Sequence, residues 1–422
     1  MDDRDALQSD TTLSSMTHDL LDCQHSAHLP QVQKTMKLQS PFVPLLPLLS
    51  AATLNIPAPE GPRGTNFKTL AFTDPSRLDP FAPHPEDRSV VISVFYPVAS
   101  VSECNTTLVP AYPPRTAAIF DAEFAFAGVP NGTLEAVRLS VCNPSTSAST
   151  KAIVQRLSTT PTILFSPGLG TSRLLYSALA QAVASAGFIV ITLDHPYDAD
   201  VVEFPDGRLV LGINSTWPAE QIELANQVRT EDALFVLDEI TRPGFLGQVI
   251  PAAGNSSLPT ARVGIFGHSL GGATAASALL ASDRFVGGIN LDGGLVGPVV
   301  QEGLDEPFIL FGHKSNTTSS TWCEIWPRLK GWKLDLDLVN STHGTFTDLP
   351  ILAGLAFGEP LPPAVEEIVG TLPGTRARDA VAASVGAFFG MVLKCEIPAM
   401  LQRASAAYPE VEFLAEPSCN EP

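Results

Sequence analysis

Positive charge is scarce in this chain: 25 Lys and Arg stand against 44 Asp and Glu in 422 residues, a formal net charge of −19. Phosphate backbones repel such a balance, which argues against nucleic acid as a partner. Charge of either sign is thin as well, 16% against 45% hydrophobic residues, so most of the chain is expected to fold. No run is long enough to cross a bilayer as a helix; the apolar stretch from Phe42 to Leu54 is short and carries Pro44 and Pro47. No internal repeat is visible, and no His/Cys/Asp/Glu grouping has the spacing of a specific metal site, so neither metal nor other cofactor is implied. Cysteines number six. Cys104 and Cys142 flank one polar segment and are placed to bridge. Cys323, Cys395 and Cys419 leave one over, so their pairing stays open.

Six Asn-x-Ser/Thr sequons, at Asn105, Asn131, Asn214, Asn255, Asn316 and Asn340, fit a secreted glycoprotein. Residues 1–35 are polar and aperiodic and read as a disordered tail or as an extension upstream of a start at Met36. Residues 36–54, with Lys37, an apolar middle and small residues at Ser50, Ala51 and Ala52, read as a signal peptide. A disordered tail before an apolar strand is the alternative. Extracellular localisation is the expectation.

Residues 55–422 are expected to form one domain. Residues 55–88 are rich in Pro and polar residues and are expected to run along the surface. Strands are predicted at Val90–Tyr96, Thr162–Ser166, Phe188–Leu193, Val263–Gly267, Phe285–Leu291, Phe308–Phe311 and Trp332–Val339. Helices are predicted at Leu174–Ala186, Pro218–Ile240 (Arg229 and Glu231 on its polar side), Ala273–Ala281, Asp348–Phe357 and Asp379–Lys394. Residues 98–160 form an insertion carrying Ile119, Phe120, Phe124 and Phe126. Apolar strands alternating with helices imply a mainly parallel sheet covered on both faces.

The chemistry is read from Val263-Gly264-Ile265-Phe266-Gly267-His268-Ser269-Leu270-Gly271-Gly272. A strand, a Gly-x-Ser-x-Gly turn and an Ala-rich helix make a nucleophile elbow, so an α/β-hydrolase fold is predicted with the insertion before the oxyanion-hole strand. Serine needs a base, and the base an orienting acid; in this fold both follow the serine, acid first. Only His313 and His343 follow Ser269. The base belongs after the last strand, which selects His343 and leaves His313 as a solvated loop residue. Asp292 ends the strand after the nucleophile helix and is the expected acid. The next strand ends without one, and Asp335 and Asp337, inside a strand, are expected to face solvent or pair locally. The oxyanion needs two donors: the N–H of Leu270, and that of Leu169 in the turn Phe165-Ser166-Pro167-Gly168-Leu169-Gly170. The cluster Asp194-His195-Pro196-Tyr197-Asp198-Ala199-Asp200 is expected to line the pocket mouth or form a polar turn.

These segments together resemble the platelet-activating factor acetylhydrolase family, of the plasma and intracellular type II kind, over roughly residues 88–395. The likeness rests on Phe165–Gly170 running into Leu174-Leu175-Tyr176-Ser177, on Gly267–Gly272, on Leu291-Asp292, and on His343-Gly344-Thr345-Phe346-Thr347-Asp348. Pro167 stands where the family usually carries histidine, and Asp194-His195-Pro196 differs from its Glu-His-Arg loop; both departures bear on substrate identity. The resemblance implies a metal-independent serine esterase acting on short acyl, above all acetyl, esters of phospholipid type; Phe120, Phe124 and Phe126 of the insertion are candidates for a patch facing a lipid interface or a long-chain groove, with core packing the alternative. Polyester and cutin hydrolases share much of the pattern, and a catalytically dead binding protein is a third reading that the complete triad argues against.

Overall fold

The computed structural model describes residues 53–414 apart from 144–146, 214–215 and 314–319. The expected tail, the expected signal segment up to Ala52, and the sequons at Asn214 and Asn316 lie outside the described residues. The central element is a nine-stranded sheet: β1 (Arg63–Leu78), β2 (Asp87–Ser100), β3 (Thr162–Ser166), β4 (Ile189–Asp194), β5 (Val263–His268), β6 (Phe285–Leu291), β7 (Phe308–His313), β8 (Lys333–Leu338) and β9 (Val411–Leu414). Their spatial order is β9-β8-β7-β6-β5-β3-β4-β2-β1. Strands β3 to β8 pair in parallel. The edges are antiparallel, β1 on β2 and β9 on β8, and β2 also runs antiparallel to β4.

The central strands are short and apolar because both faces are covered: Ile163, Leu164, Ile189, Val190, Ile265, Phe266, Ile309 and Leu310 are all buried. Two hydrophobic clusters follow, one on each face. The helices that cover them include α2 (Ser177–Ser185), α3 (Ala219–Thr241), α4 (Leu270–Ala281), α5 (Leu349–Phe357) and α6 (Gly374–Lys394); α1 (Pro114–Phe124) belongs to the insertion. Small residues let α4 lie against the sheet, with Ala273, Ala275, Ala276 and Ala278 fully buried. No helix among the described residues is long and apolar enough to cross a membrane.

Residues 55–88 lie largely at the surface, as expected, but are more regular than their composition suggests. Sixteen of them form edge strand β1, paired along β2. An edge strand exposes one side and tolerates the polar and Pro/Gly residues that hid it from the sequence pattern. The insertion is structured too: Leu54–Asn55, Val137–Asn143 and Asn105–Pro110 make a three-stranded sheet. The expected Cys104–Cys142 disulfide closes it, and Cys323 is also disulfide-bonded, leaving Cys395 free. The insertion's aromatics split by role. Phe120 is buried against Tyr112 and Phe124, whereas Phe126 is 54% exposed.

Asp335 and Asp337 do not face solvent. They alternate with Leu334, Leu336 and Leu338 on β8, but β7 and β9 flank that strand, and both aspartates are buried. Burial, followed by the nearby Asp337 carboxylate, pushes the Asp335 carboxyl up to about 7. A carboxyl that binds its proton more tightly folded than unfolded costs the fold stability as pH rises from the unfolded value of 3.8 through about 7. Asp335→Asn is therefore expected to stabilise the protein at pH 8 by roughly 1–3 kcal/mol and to change little at pH 4. Thermal melts of the two proteins at both pH values check this; equal melting at pH 8 would contradict it.

Candidate active site

At the end of β5 the chain turns from strand to helix on one residue. Ser269 has φ 55° and ψ −126°, a conformation that costs a non-glycine residue on the order of 1–3 kcal/mol. Its surroundings hold it there. The Ser269 N–H donates to the Leu291 carbonyl at 2.8 Å. A Cβ on Gly271 would lie 2.0 Å from the Ser166 carbonyl oxygen, and one on Gly293 would lie 2.0 Å from that of Ser269. Only glycine lets β3, β5 and β6 converge so closely at their carboxyl ends.

The next strand delivers Asp292, also in the left-handed region at φ 55°, its N–H donating to the Phe311 carbonyl at 2.8 Å. Asp292 is buried, and its Oδ2 lies 2.6 Å from His343 Nδ1. Burial opposes its ionisation, but hydrogen bonds from two histidines outweigh that and hold the carboxyl well below its usual range. His343 sits beyond β8 in a single 3₁₀ turn, His343–Phe346, fixed by reciprocal Thr342–Thr345 capping bonds. Its ring packs on that of His268, centroids 4.4 Å apart, which sets it beside the serine turn. Among the described residues Ser269 Oγ makes no hydrogen bond; the serine–histidine link of an unliganded site is often open and tightens with substrate.

The segment before the β3–α2 turn is clamped from behind. Arg229, fully buried on α3, donates to the carbonyls of Pro167 and Gly168 (the latter at 3.0 Å) and pairs with Asp198. The Gly168 N–H goes to the Tyr176 hydroxyl at 3.1 Å, which in turn meets His268 Nδ1 at 2.8 Å. Pro167 has no N–H to give. Leu169, half-buried, therefore carries the first N–H after β3 that this clamp leaves uncommitted. Leu270, the other expected donor, is the first residue of α4. The histidine turn is tied to the same region: the buried Asp348 carboxylate accepts from the Ala178 and Leu179 N–H groups at the start of α2, and its own N–H donates to Leu175.

Several expectations are corrected here. Arg229 is 1% exposed and belongs to the interior, not to the polar side of α3; its i, i+3 neighbour Asp232 goes inward with it. Of the two expectations for the Asp194–Asp200 cluster, the turn is present, closed by the Asp198 and Ala199 N–H groups on the His195 carbonyl, but Asp194 and His195 do not line a pocket mouth. Both are fully buried, and His195 links Ser166 Oγ (3.0 Å) to Asp232 (2.9 Å), which also pairs with Arg88. Burial lowers the His195 pKa, so Nδ1–H donates to Asp232 and Nε2 accepts from Ser166. That Ser-His-Asp chain is closed to solvent and braces β3. His313 is not a solvated loop residue either; its Nδ1 lies 2.8 Å from Asp292. His268, Asp292 and His343 have metal-ligand spacing, but a cation there would have to break the 2.6 Å His343–Asp292 bond.

A parallel sheet with a strained serine at a strand–helix turn, and an aspartate–histidine pair beside it, defines the α/β-hydrolase fold. A solved structure, the ferulic acid esterase from Streptomyces cinnamoneus, superimposes with a TM-score of 0.69 and 30% identity over 86% of this chain and all of that one. The family model for platelet-activating factor acetylhydrolase, isoform II, matches residues 82–202 and 253–362. A probable 1-alkyl-2-acetylglycerophosphocholine esterase from Arthroderma benhamiae is 33% identical over 85% of this chain and 93% of its own length. The platelet-activating factor acetylhydrolase of Cavia porcellus is 29% identical over 48% of this chain and 51% of that one. The chain is a carboxylic ester hydrolase. It belongs to the platelet-activating factor acetylhydrolase isoform II family.

Proposed function

We propose that this protein is a secreted serine esterase that removes short acyl groups, above all acetyl, from phospholipid-type esters, with Ser269 as nucleophile, His343 as base and Asp292 as its orienting acid. The observation that carries the reading is the 2.6 Å Asp292–His343 contact beside a serine held in the strained conformation of a nucleophile elbow. All three residues lie within the matched family segment 253–362. In this reading His343 takes the Ser269 proton as Oγ attacks the ester carbonyl. The oxygen of the tetrahedral intermediate accepts from the N–H groups of Leu169 and Leu270. The proton passes to the leaving alcohol, and water then releases the acid by the same route. No step requires a metal or other cofactor.

The acetyl-phospholipid assignment is supported by the name of the Arthroderma relative, aligned along nearly all its length. Likeness to a ferulic acid esterase over the whole of that chain supports a second reading, a carboxylesterase acting on non-lipid esters of the plant-polymer kind. Exposed Phe126, at the end of the insertion helix, is the residue offered for contact with a lipid interface. Secretion is supported by the exposed sequon asparagines Asn105, Asn131, Asn255 and Asn340 and by the Cys104–Cys142 disulfide.

Ser269→Ala is expected to lower ester hydrolysis on the order of 10⁶-fold without changing the thermal melt. A fluorophosphonate should label the parent protein at Ser269 alone; labelling at another serine rejects the nucleophile. On p-nitrophenyl esters of rising chain length, C2 should turn over faster than C16, with no effect of EDTA. A short-chain sn-2 acetyl phospholipid should be cleaved faster than methyl ferulate or a polyester film, and the reverse order selects the second reading. Protein recovered from culture medium should be glycosylated and begin near Thr53; an unglycosylated intracellular product beginning at Met1 would contradict secretion.

A further inference from the structure

The Asp292 carboxylate serves two imidazoles, not one. Its Oδ2 meets His343 Nδ1 at 2.6 Å, while His313 Nδ1 stands 2.8 Å from both Oδ1 and Oδ2. The His313 backbone N–H adds a contact to Oδ1 at 3.2 Å. This is built into the strand end. His313 is the last residue of β7, adjacent to the end of β6, and Gly312 makes the approach: a Cβ there would lie 2.9 Å from the Trp322 ring and 3.3 Å from Asp292 Oδ1. The His313 side chain is 12% exposed.

We propose that His313 is a positioning residue that fixes the plane of the Asp292 carboxylate and divides its charge between two imidazoles. The inference rests on the Ser269–Asp292–His343 reading above. The physical need is specific. Asp292 is buried at the end of a strand, in left-handed backbone. Rotation about Cβ–Cγ would present either oxygen to the base, and the His313 contacts oppose that rotation. The His313 backbone N–H bonds Oδ1 and its Nδ1–H bridges both oxygens, while His343 meets Oδ2, so the three contacts together hold the carboxylate plane. The same bonds withdraw part of the negative charge that would otherwise stabilise the His343 imidazolium formed during the reaction. The ionisable groups facing His313 are Asp292, His343 and, through the His343 stack, His268.

Two variants separate the parts of this role. His313→Leu removes the side-chain donor; His313→Gln keeps a neutral one. With p-nitrophenyl acetate, His313→Leu is expected to lower kcat roughly 10–100-fold, the scale for removing an orienting partner one residue behind the reacting group, with KM nearly unchanged. The acid limb of its kcat/KM profile should move to higher pH, because His343 then has the carboxylate to itself and is protonated more readily. His313→Gln should recover most of kcat. A merely structural role would lower the melting temperature and activity together and leave the acid limb in place. Independently of any loss of folding in the leucine variant, proton NMR of the parent protein should show three strongly downfield imidazole N–H resonances, from His343, His313 and the buried His195–Asp232 pair, one of them absent in His313→Gln. Parental kcat and acid limb in His313→Leu, or a set of such resonances that His313→Gln leaves intact, overturns the proposal. If Ser269→Ala remains active, the triad itself is wrong; if Ser269→Ala is inactive and His313→Leu is normal, this inference alone fails.

Discussion

The carboxyl ends of β3, β5 and β6 approach so closely that no side chain fits between them, and the site is organised by that contact. Gly267, Gly271 and Gly293 each face a backbone carbonyl about 2 Å from where a Cβ would stand. Ser269 and Asp292, neither of them glycine, are then forced into left-handed backbone at neighbouring strand ends. Strain of this kind persists only where the surroundings over-determine it, and here the Ser269 N–H is bonded to the Leu291 carbonyl directly before Asp292. The positions of Ser269 and Asp292 are thus one constraint.

A second layer of the structure serves the first. Three arginines of the interior, Arg88, Arg173 and Arg229, are spent on backbone and carboxylates around the strand ends. Arg88 joins Asp79 and Asp232, Arg173 joins Asp194, and Arg229 joins Asp198 while holding two carbonyls of the turn after β3. Buried pairs of this type contribute little net stability against apolar replacements, but losing one partner costs about 3–5 kcal/mol because a charge is stranded. Their effect is to make the geometry of the turn single-valued. Tyr176, His268 and Asp348 extend the same bracing toward the turn that carries His343, linking it to the segment after β3.

Within the site, the carboxylate of Asp292 is the shared resource. His343 and His313 both reach it, and its low proton affinity follows from the two together against the penalty of burial. Charge on either imidazole is therefore felt by the other through one group.

What the sequence determined by itself was local and periodic. The run from Val263 to Gly272 specified strand, turn and helix, because apolar β-formers, two glycines around a serine and a string of alanines each dictate a conformation within a few residues. Short apolar strands alternating with helices specified the parallel sheet, and strand ends picked out Asp292 and His343, which the fold brings to 2.6 Å. What only the tertiary structure decided was which polar residues go inside. Arg229, Asp232, His195, Asp335 and Asp337 lie in segments whose polarity reads as surface, yet all are buried; their partners come from strands and helices far along the chain, so no local pattern reports the burial. The strand β1 was hidden because an edge needs no apolar period on its open side. His313 was hidden because a histidine after a strand looks like any loop residue until β6 and β7 pair in register. That pairing places Leu291 opposite Phe311, and so brings the ends of the two strands, with Asp292 and His313, side by side.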